Sequence, residues 1–230
     1  MVPWKVLDTI VTAEGSLQLR QRGAREFLIT IDGRCLMTSS ERTSEEAVAT
    51  LAIKALAGRK APRVLIGGLG MAYTVRAALD VLPRQAQVTV AELTPAVETW
   101  CRGPLAPLTN GAVLDPRVRV VIQDVARVVS EAGPGNYDAI ILDIYEGPHA
   151  AQKRENDPFY GRAALARTAS ALSAGGVLAI WSEETNAVFK KRMIDAGFET
   201  STHKPGGSRA YVVYVGRRPG PAATTTHRRR

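Results

Sequence analysis

From residue 63 onward, short apolar runs alternate with stretches of helical character, and this alternation predicts the fold. The runs are almost continuously apolar, which is typical of parallel strands that are buried on both faces. They are Val64–Ile66, Val88–Ala91, Val118–Ile122, Ala139–Leu142 and Val177–Ile180. The helices predicted between them are Met71–Val81, Pro95–Cys101, Val125–Glu131 and Pro158–Leu172. A strand and a crossover helix in regular succession predict a doubly wound, mostly parallel sheet.

The N-terminal part of the chain follows a different pattern. Its first 40 residues are rich in strand-like segments, and Asp32-Gly33 is a tight-turn pair, so we expect a small antiparallel β-sheet. The predicted strands are Lys5–Thr12, Ser16–Gln21, Arg25–Ile31 and Arg34–Thr38. A helix is then predicted from Ser44 to Leu56, with Ser44 as its N-cap.

The C-terminal part completes the predicted sheet. A helix over Glu184–Ala196 leads to two strand-like segments, Phe198–His203 and Ala210–Val215. Between them, Pro205-Gly206-Gly207 predicts a hairpin turn. The expected fold is therefore α/β, a seven-stranded Rossmann-like sheet that ends in an antiparallel hairpin.

The distribution of charge indicates how the chain is organised. The net charge is +8, and three of the positive charges are the last three residues, Arg228 to Arg230, which follow the low-complexity stretch Pro219–Thr226. We therefore predict a disordered basic tail at 219–230. The rest divides into an N-terminal β-hairpin region at 1–43 and a Rossmann-like domain at 44–218.

Composition argues against several classes of function. No apolar run approaches the roughly 20 residues that a membrane span needs, and the N-terminus lacks the pattern of a secretory signal, so we expect a cytoplasmic protein. No basic stripe interleaved with aromatic residues indicates a nucleic-acid partner. Cys35 and Cys101 suggest no disulfide framework, and the histidines are too scattered to predict a metal site.

In a doubly wound sheet, ligands bind at the carboxyl ends of the strands. Gly67–Gly70 follows the first parallel strand, where glycines let the backbone turn sharply and approach a ligand. Tyr73 occupies the third glycine position of a dinucleotide fingerprint, so a pyrophosphate site is not evident. Glu92 ends the second strand at about the spacing of a carboxylate that accepts both ribose hydroxyls. After the third strand, Asp124 can accept the exocyclic amine of adenine and cap the next helix.

These strand ends together predict a site for an adenosine. A solvated charge at Glu92 and a capping role alone for Asp124 are the simpler alternatives. The residues predicted to contact the nucleoside are Gly67, Gly68, Leu69, Gly70, Glu92, Leu93, Gln123, Asp124, Val125 and Asp143.

The order of these motifs is that of the class I S-adenosylmethionine-binding fold, and within it the chain resembles the spermidine synthase (polyamine aminopropyltransferase) family. The resemblance is carried by Arg63–Ala78, Val90–Pro95, Asp115–Val118, Gln123-Asp124, Tyr137–Asp143 and Gly175–Leu178. It implies S-adenosylmethionine or its decarboxylated form as cofactor, with methylthioadenosine as the product of the latter. It also implies a small amine acceptor from polyamine biosynthesis and a homodimer.

The polar segment after the fourth parallel strand carries the predicted catalytic residues, which are Asp143, Tyr145 and Glu146. A carboxylate here can orient and deprotonate an amine for attack on the carbon beside a sulfonium. The family has one aspartate here and a second three residues later; Asp143 matches the first, and Glu146 replaces the second. Gly147-Pro148 arrives two residues earlier than in the family. The aspartate of the family's glycine turn is absent from Leu69–Met71.

Three functions stay open at this point. The first is aminopropyl transfer to an amine. The second is methyl transfer to an unknown acceptor, which the missing glycine-turn aspartate favours. The third is nucleoside binding without catalysis, against which Asp143 argues.

Overall fold

The N-terminal strands form an antiparallel sheet of their own. The computed structural model that shows this sheet describes residues 2–56, 58–145, 147–148, 156–205 and 211–220. The four strands are β1 (Lys5–Thr12), β2 (Gly15–Arg22), β3 (Glu26–Ile31) and β4 (Arg34–Thr38), and they lie side by side in that order. Asp32 and Gly33 have φ angles of 45° and 79°, as the tight turn between β3 and β4 requires. The predicted N-terminal sheet is therefore confirmed.

The remaining strands form one mixed sheet of seven strands. They are β5 (Arg63–Gly67), β6 (Gln87–Glu92), β7 (Val118–Ile122), β8 (Tyr137–Leu142), β9 (Leu172–Ser182), β10 (Glu199–His203) and β11 (Val212–Arg217). Their order across the sheet is β10-β11-β9-β8-β5-β6-β7. The central pairs are parallel, whereas β11 pairs antiparallel with both β9 and β10. The predicted α/β sheet and its C-terminal hairpin are confirmed, although Gly206 and Gly207 of the predicted turn lie outside the described residues.

Helices connect the strands and cover the sheet. They are α1 (Thr43–Lys54), α2 (Tyr73–Val81), α3 (Pro95–Arg102), α4 (Val125–Glu131), α5 (Arg162–Ala171) and α6 (Ala187–Asp195). Two short 3₁₀ turns, Ala106–Leu108 and Ala112–Leu114, fill the connection before β7, which the sequence pattern did not predict.

Two apolar clusters pack on opposite faces of the seven-stranded sheet. Along β8, Ile141 faces the cluster that contains α1, α2 and the N-terminal sheet, whereas Ile140 faces the cluster that contains α4, α5 and α6. Every residue of β8 is buried, because both faces are covered. This double burial is the physical reason for the continuous apolar runs in the sequence.

The prediction of Ser44 as an N-cap is wrong. α1 begins at Thr43, and its N-cap position is Arg42, which makes no capping hydrogen bond with its side chain. Ser44 lies inside the first turn, where its hydroxyl donates to the carboxylate of Glu45. Ser44 is therefore a helical residue rather than the residue that precedes the helix.

The predicted helix Pro158–Leu172 is wrong at both ends. The carboxylate of Asp157 accepts the backbone N–H groups of Phe159 and Tyr160, at 2.8 and 2.7 Å, and this turn delays α5 to Arg162. Leu172 already belongs to β9, where it lies opposite Tyr137. Asx turns of this kind compete with the helix for backbone donors.

Two other helices begin later than predicted, each for a local reason. The side chain of Asn186 caps α6 by accepting the N–H of Phe189 at 3.0 Å, so this helix begins at Ala187 rather than Glu184. Ala72 has a φ angle of 64°, a left-handed conformation that keeps it outside α2.

The predicted division of the chain into an N-terminal region at 1–43, a Rossmann-like domain at 44–218 and a C-terminal tail stays a prediction.

Candidate active site

The glycine turn after β5 packs directly against the end of β8. Gly68 has a φ angle of 91°, and a Cβ atom there would lie 2.2 Å from the backbone oxygen of Asp143. The N–H of Asp143 donates to the oxygen of Gly67 at 2.9 Å, so the β5–β8 pairing continues one residue past the strands. Only glycine fits at position 68, because any side chain would collide with backbone.

Glu92 holds the other side of this turn. One carboxylate oxygen accepts the N–H of Leu69 at 3.0 Å, and the other accepts the N–H of Thr94 at 2.8 Å. Burial raises the pKa of Glu92, and these backbone donors oppose the rise. Each carboxylate oxygen has a second lone pair, so both can still accept a ribose hydroxyl.

The residues predicted to surround an adenine lie around the ends of β6 and β7. Asp124 caps α4 by accepting the N–H of Ala126 at 2.8 Å, and its carboxylate remains exposed. Leu93 is 66% exposed, so its apolar side chain is accessible just after β6. The side-chain amide of Gln123, which was predicted to contact the nucleoside, donates to the carboxylate of Glu131 at 3.0 Å.

The apolar residues of the glycine turn point into the protein. Leu69 and Met71 are both buried in the cluster on the α1 face. Val125 packs from the opposite side, since its methyl groups would contact any Cβ at Gly67. The turn therefore offers backbone groups to a ligand and no carboxylate of its own.

Asp143, at the end of β8, has the electrostatics of a proton acceptor. Burial raises its pKa to about 7, although the hydroxyl of Thr74 donates to the carboxylate and lowers the pKa, while the charge of Glu45 raises it further. Thr74 lies on α2 and Glu45 on α1, so two helices reach the group. A pKa near the working pH is a common property of catalytic acids and bases.

Sequence reasoning did not select Thr74 or Glu45. Thr74 lies inside the predicted helix Met71–Val81, and Glu45 lies in the first turn of another predicted helix, Ser44–Leu56, where acidic residues are ordinary. The contact between Thr74 and Asp143 joins residues 69 positions apart, which no local pattern indicates.

Tyr145 lies two residues beyond Asp143 and is 43% exposed. The guanidinium of Arg34, on β4, stands 5.1 Å from the centre of its ring, close enough for a cation–π contact. The N-terminal sheet thus reaches the rim of the candidate site. The third predicted catalytic residue, Glu146, lies outside the described residues.

Two further properties bear on the class of protein. In the part of the chain that the structure describes, no group of three His, Cys, Asp or Glu side chains is arranged to hold a metal ion. Within the same residues, no helix has the length and apolarity that a membrane crossing needs.

The fold and these strand ends define a class. An open, mostly parallel seven-stranded sheet with a glycine turn after β5 and a carboxylate ending β6 is a Rossmann-like arrangement. The particular likeness within this class comes from comparison with known proteins.

No family model matches the chain. Three curated polyamine aminopropyltransferases, two from Mycobacterium tuberculosis strains and one from Mycobacterium bovis, are each 32% identical to it over 127 residues. This match covers 54% of the chain and 23% of each relative, so the chain spans about a quarter of the length of these relatives.

Solved structures of spermidine synthases share the fold. The enzyme from Thermotoga maritima has a TM-score of 0.72 at 18% identity, over 93% of this chain and 72% of that one. A spermidine synthase in complex with the transition-state analogue AdoDATO gives the same values. A probable spermidine synthase from Corynebacterium glutamicum has a TM-score of 0.63 at 18% identity, over 93% of this chain and 79% of that one. The predicted resemblance to the spermidine synthase family is confirmed in fold and in part of the sequence.

Proposed function

We propose that this chain transfers an aminopropyl group from a nucleoside sulfonium to a small amine. The observation that carries the proposal is Asp143, a carboxylate whose pKa is raised to about 7 and which lies against the glycine turn through Gly68. The similarity to polyamine aminopropyltransferases and to the spermidine synthase fold supports it.

The donor's nucleoside part is assigned to the ends of β6 and β7. Glu92 accepts the ribose hydroxyls with the lone pairs that Leu69 and Thr94 leave free. Exposed Leu93 offers an apolar surface to the adenine ring, and Asp124 accepts its exocyclic amine while still capping α4. The structure thus fits an adenosine without a second nucleotide.

The donor, when bound, supplies an electrophilic carbon next to a sulfonium. Asp143 orients the acceptor amine and takes a proton from its nitrogen, and the nitrogen lone pair then forms the new bond to carbon. The carbon–sulfur bond breaks and its electron pair goes to sulfur, so methylthioadenosine leaves. Thr74 holds the Asp143 carboxylate by donating its hydroxyl to it.

Methyl transfer is the second candidate, and one observation favours it. Leu69 and Met71 are buried and apolar, so the glycine turn offers no carboxylate to the ammonium of a decarboxylated donor. A methyltransferase would use S-adenosylmethionine at the same nucleoside site. We also expect a homodimer in the cytoplasm, as the family resemblance implies, and light scattering on the purified protein tests the dimer.

Calorimetry with decarboxylated S-adenosylmethionine, S-adenosylmethionine and methylthioadenosine separates these functions. We expect the decarboxylated donor and methylthioadenosine to bind more tightly than S-adenosylmethionine, and release of methylthioadenosine when an amine is added. Binding of S-adenosylmethionine alone would overturn aminopropyl transfer and favour methyl transfer. If no adenosine compound binds, the nucleoside site itself is wrong.

A further inference from the structure

A row of side chains crosses β8 and β9 where these strands end. Leu142 lies opposite Ile180 in the register of this parallel pair, so the next residues, Asp143 and Trp181, are neighbours on strands about 4.8 Å apart. Trp181 packs against the apolar cluster on the α1 face. Asp143 points to the same face, because it accepts a hydrogen bond from Thr74 on α2. The side chains of Asp143 and Trp181 therefore extend from neighbouring strand ends on the same face of the sheet.

The start of β11 and the first turn of α1 extend this row. β11 runs antiparallel to β9 with Val213 opposite Trp181, so Tyr211, two residues earlier, is directed to the same face just past the strand end. The charge of Glu45 raises the pKa of Asp143 and of Tyr211, as expected for groups around one space. Two carboxylates and two aromatic rings thus border the place where the acceptor amine would lie.

Trp181 differs from an ordinary packed tryptophan. Its Nε1 atom is buried and has no hydrogen-bond partner among the described residues. An indole N–H can only donate, and leaving such a donor buried without an acceptor is unfavourable. Trp100 shows the usual arrangement, since its Nε1 donates to a carboxylate oxygen of Asp8 at 2.8 Å. The N–H of Trp181 is therefore a buried donor without an acceptor among the described residues.

We infer that Trp181 determines acceptor specificity by donating its indole N–H to a neutral oxygen of the amine substrate. The inference rests on the proposed aminopropyl transfer at Asp143. A plain alkyl diamine does not satisfy this donor, because one nitrogen uses its lone pair to attack and the other is an ammonium, which only donates. A carboxylate on the acceptor would be repelled by Glu45 and Asp143. An aliphatic amine that carries a hydroxyl or an ether oxygen has both a positive charge for the carboxylates and a neutral acceptor for the indole N–H.

Two amines of equal length test the inference. One is 1,5-diaminopentane, and the other is 2,2′-oxydiethylamine, in which an ether oxygen replaces the central methylene. With decarboxylated S-adenosylmethionine as donor, we expect the ratio of kcat/KM, ether over alkyl, to fall about tenfold from the wild type to Trp181→Phe, which keeps a ring but removes the N–H. Comparing ratios between proteins cancels the difference in intrinsic reactivity of the two amines.

Trp100→Phe is the matched control, since it removes an indole N–H that already has a partner in Asp8. Its ratio should equal that of the wild type. Methylthioadenosine affinity and circular dichroism report whether each variant is folded. A ratio that Trp181→Phe leaves unchanged overturns the inference while aminopropyl transfer stands. If the donor binds and no amine of either kind is used, the proposed function fails and the inference with it.

A second measurement follows the indole N–H signals of the wild-type protein directly. The chain has three tryptophans, and Trp→Phe variants assign their indole N–H signals in a nitrogen-15 NMR spectrum. With methylthioadenosine bound, we expect the ether diamine to shift the Trp181 signal downfield and the alkyl diamine not to do so. Equal shifts with both amines would contradict the inference.

Discussion

Replacing Asp143 by Asn is expected to stabilise the protein above neutral pH, although it removes the proposed base. Burial raises the pKa of Asp143 from its ordinary 3.8 to about 7. The native state therefore keeps a proton that the unfolded chain has already lost between these values. The stability that this group contributes is present below about pH 4 and is lost as the pH rises through 7. From pH 5 to pH 8 the loss is about 3 kcal/mol, and an amide at position 143 avoids it.

Urea unfolding of the wild type and Asp143→Asn at pH 5 and pH 8 measures this effect. We expect the free energy of unfolding of the variant, relative to the wild type, to rise by about 3 kcal/mol between the two pH values. Taking the difference between the proteins cancels the titration of all other groups. A difference that stays constant, or that falls, between pH 5 and pH 8 would show that the pKa of Asp143 is not raised.

Asp138, at the other end of β8, is the matched control. Burial raises its pKa, but the N–H of Arg63, the hydroxyl of Ser173 and the charge of Arg59 together outweigh burial and leave the pKa lowered. A lowered pKa contributes stability that is present above the unfolded value and lost only in acid. Asp138→Asn should therefore destabilise by about 2 kcal/mol at pH 5 and pH 8 alike.

Three more outcomes follow from the same site. Asp143→Asn should lower kcat at least about a hundredfold while methylthioadenosine affinity, measured by calorimetry, stays within a few fold, because this group serves the acceptor; equal loss of both would make it a nucleoside ligand. Glu92→Ala should do the reverse and chiefly abolish nucleoside binding in the same titration; tight binding by this variant would remove Glu92 from the ribose site. Thr74→Val deletes a donor to the ionised carboxylate, so the acid limb of the kcat/KM profile should move up by about one pH unit, and an unmoved limb would separate Thr74 from the base.

The sheet was predictable because its burial is simple. Strands covered on both faces are apolar throughout, so runs such as Ala139–Leu142 can be recognised in the sequence. Helix ends were less predictable because single side chains decide them. Asp157 takes two backbone donors and delays α5, and Ala72 adopts a left-handed conformation before α2. Such local competition leaves little trace in hydrophobic periodicity.

The nucleoside side of the candidate site was also accessible from sequence, since strand ends collect on one edge of the sheet. Glu92 and Asp124 stand where the alternation of strands and helices places them. The acceptor side was not accessible in the same way. Glu45 and Tyr211 come from opposite ends of the chain, and they meet near Asp143 only because α1 packs on the sheet face that β8, β9 and β11 share. Contacts of this kind depend on tertiary packing, which no spacing encodes.

Burial of Asp143 lowers the stability of the protein above neutral pH, and it also makes this carboxylate a stronger base. An alkylammonium resembles a lysine side chain, with a pKa of about 10.4, so a carboxylate with an ordinary pKa of about 3.9 lies about 6.5 units below it, or about 9 kcal/mol. Raising the pKa of Asp143 to about 7 roughly halves this gap. Thr74 acts in the opposite direction, because its hydrogen bond favours the ionised form and keeps part of the population ready to accept a proton at neutral pH. Removing that bond should thus make each ionised Asp143 a stronger base while leaving fewer of them ionised, and the pH at which activity is greatest should rise.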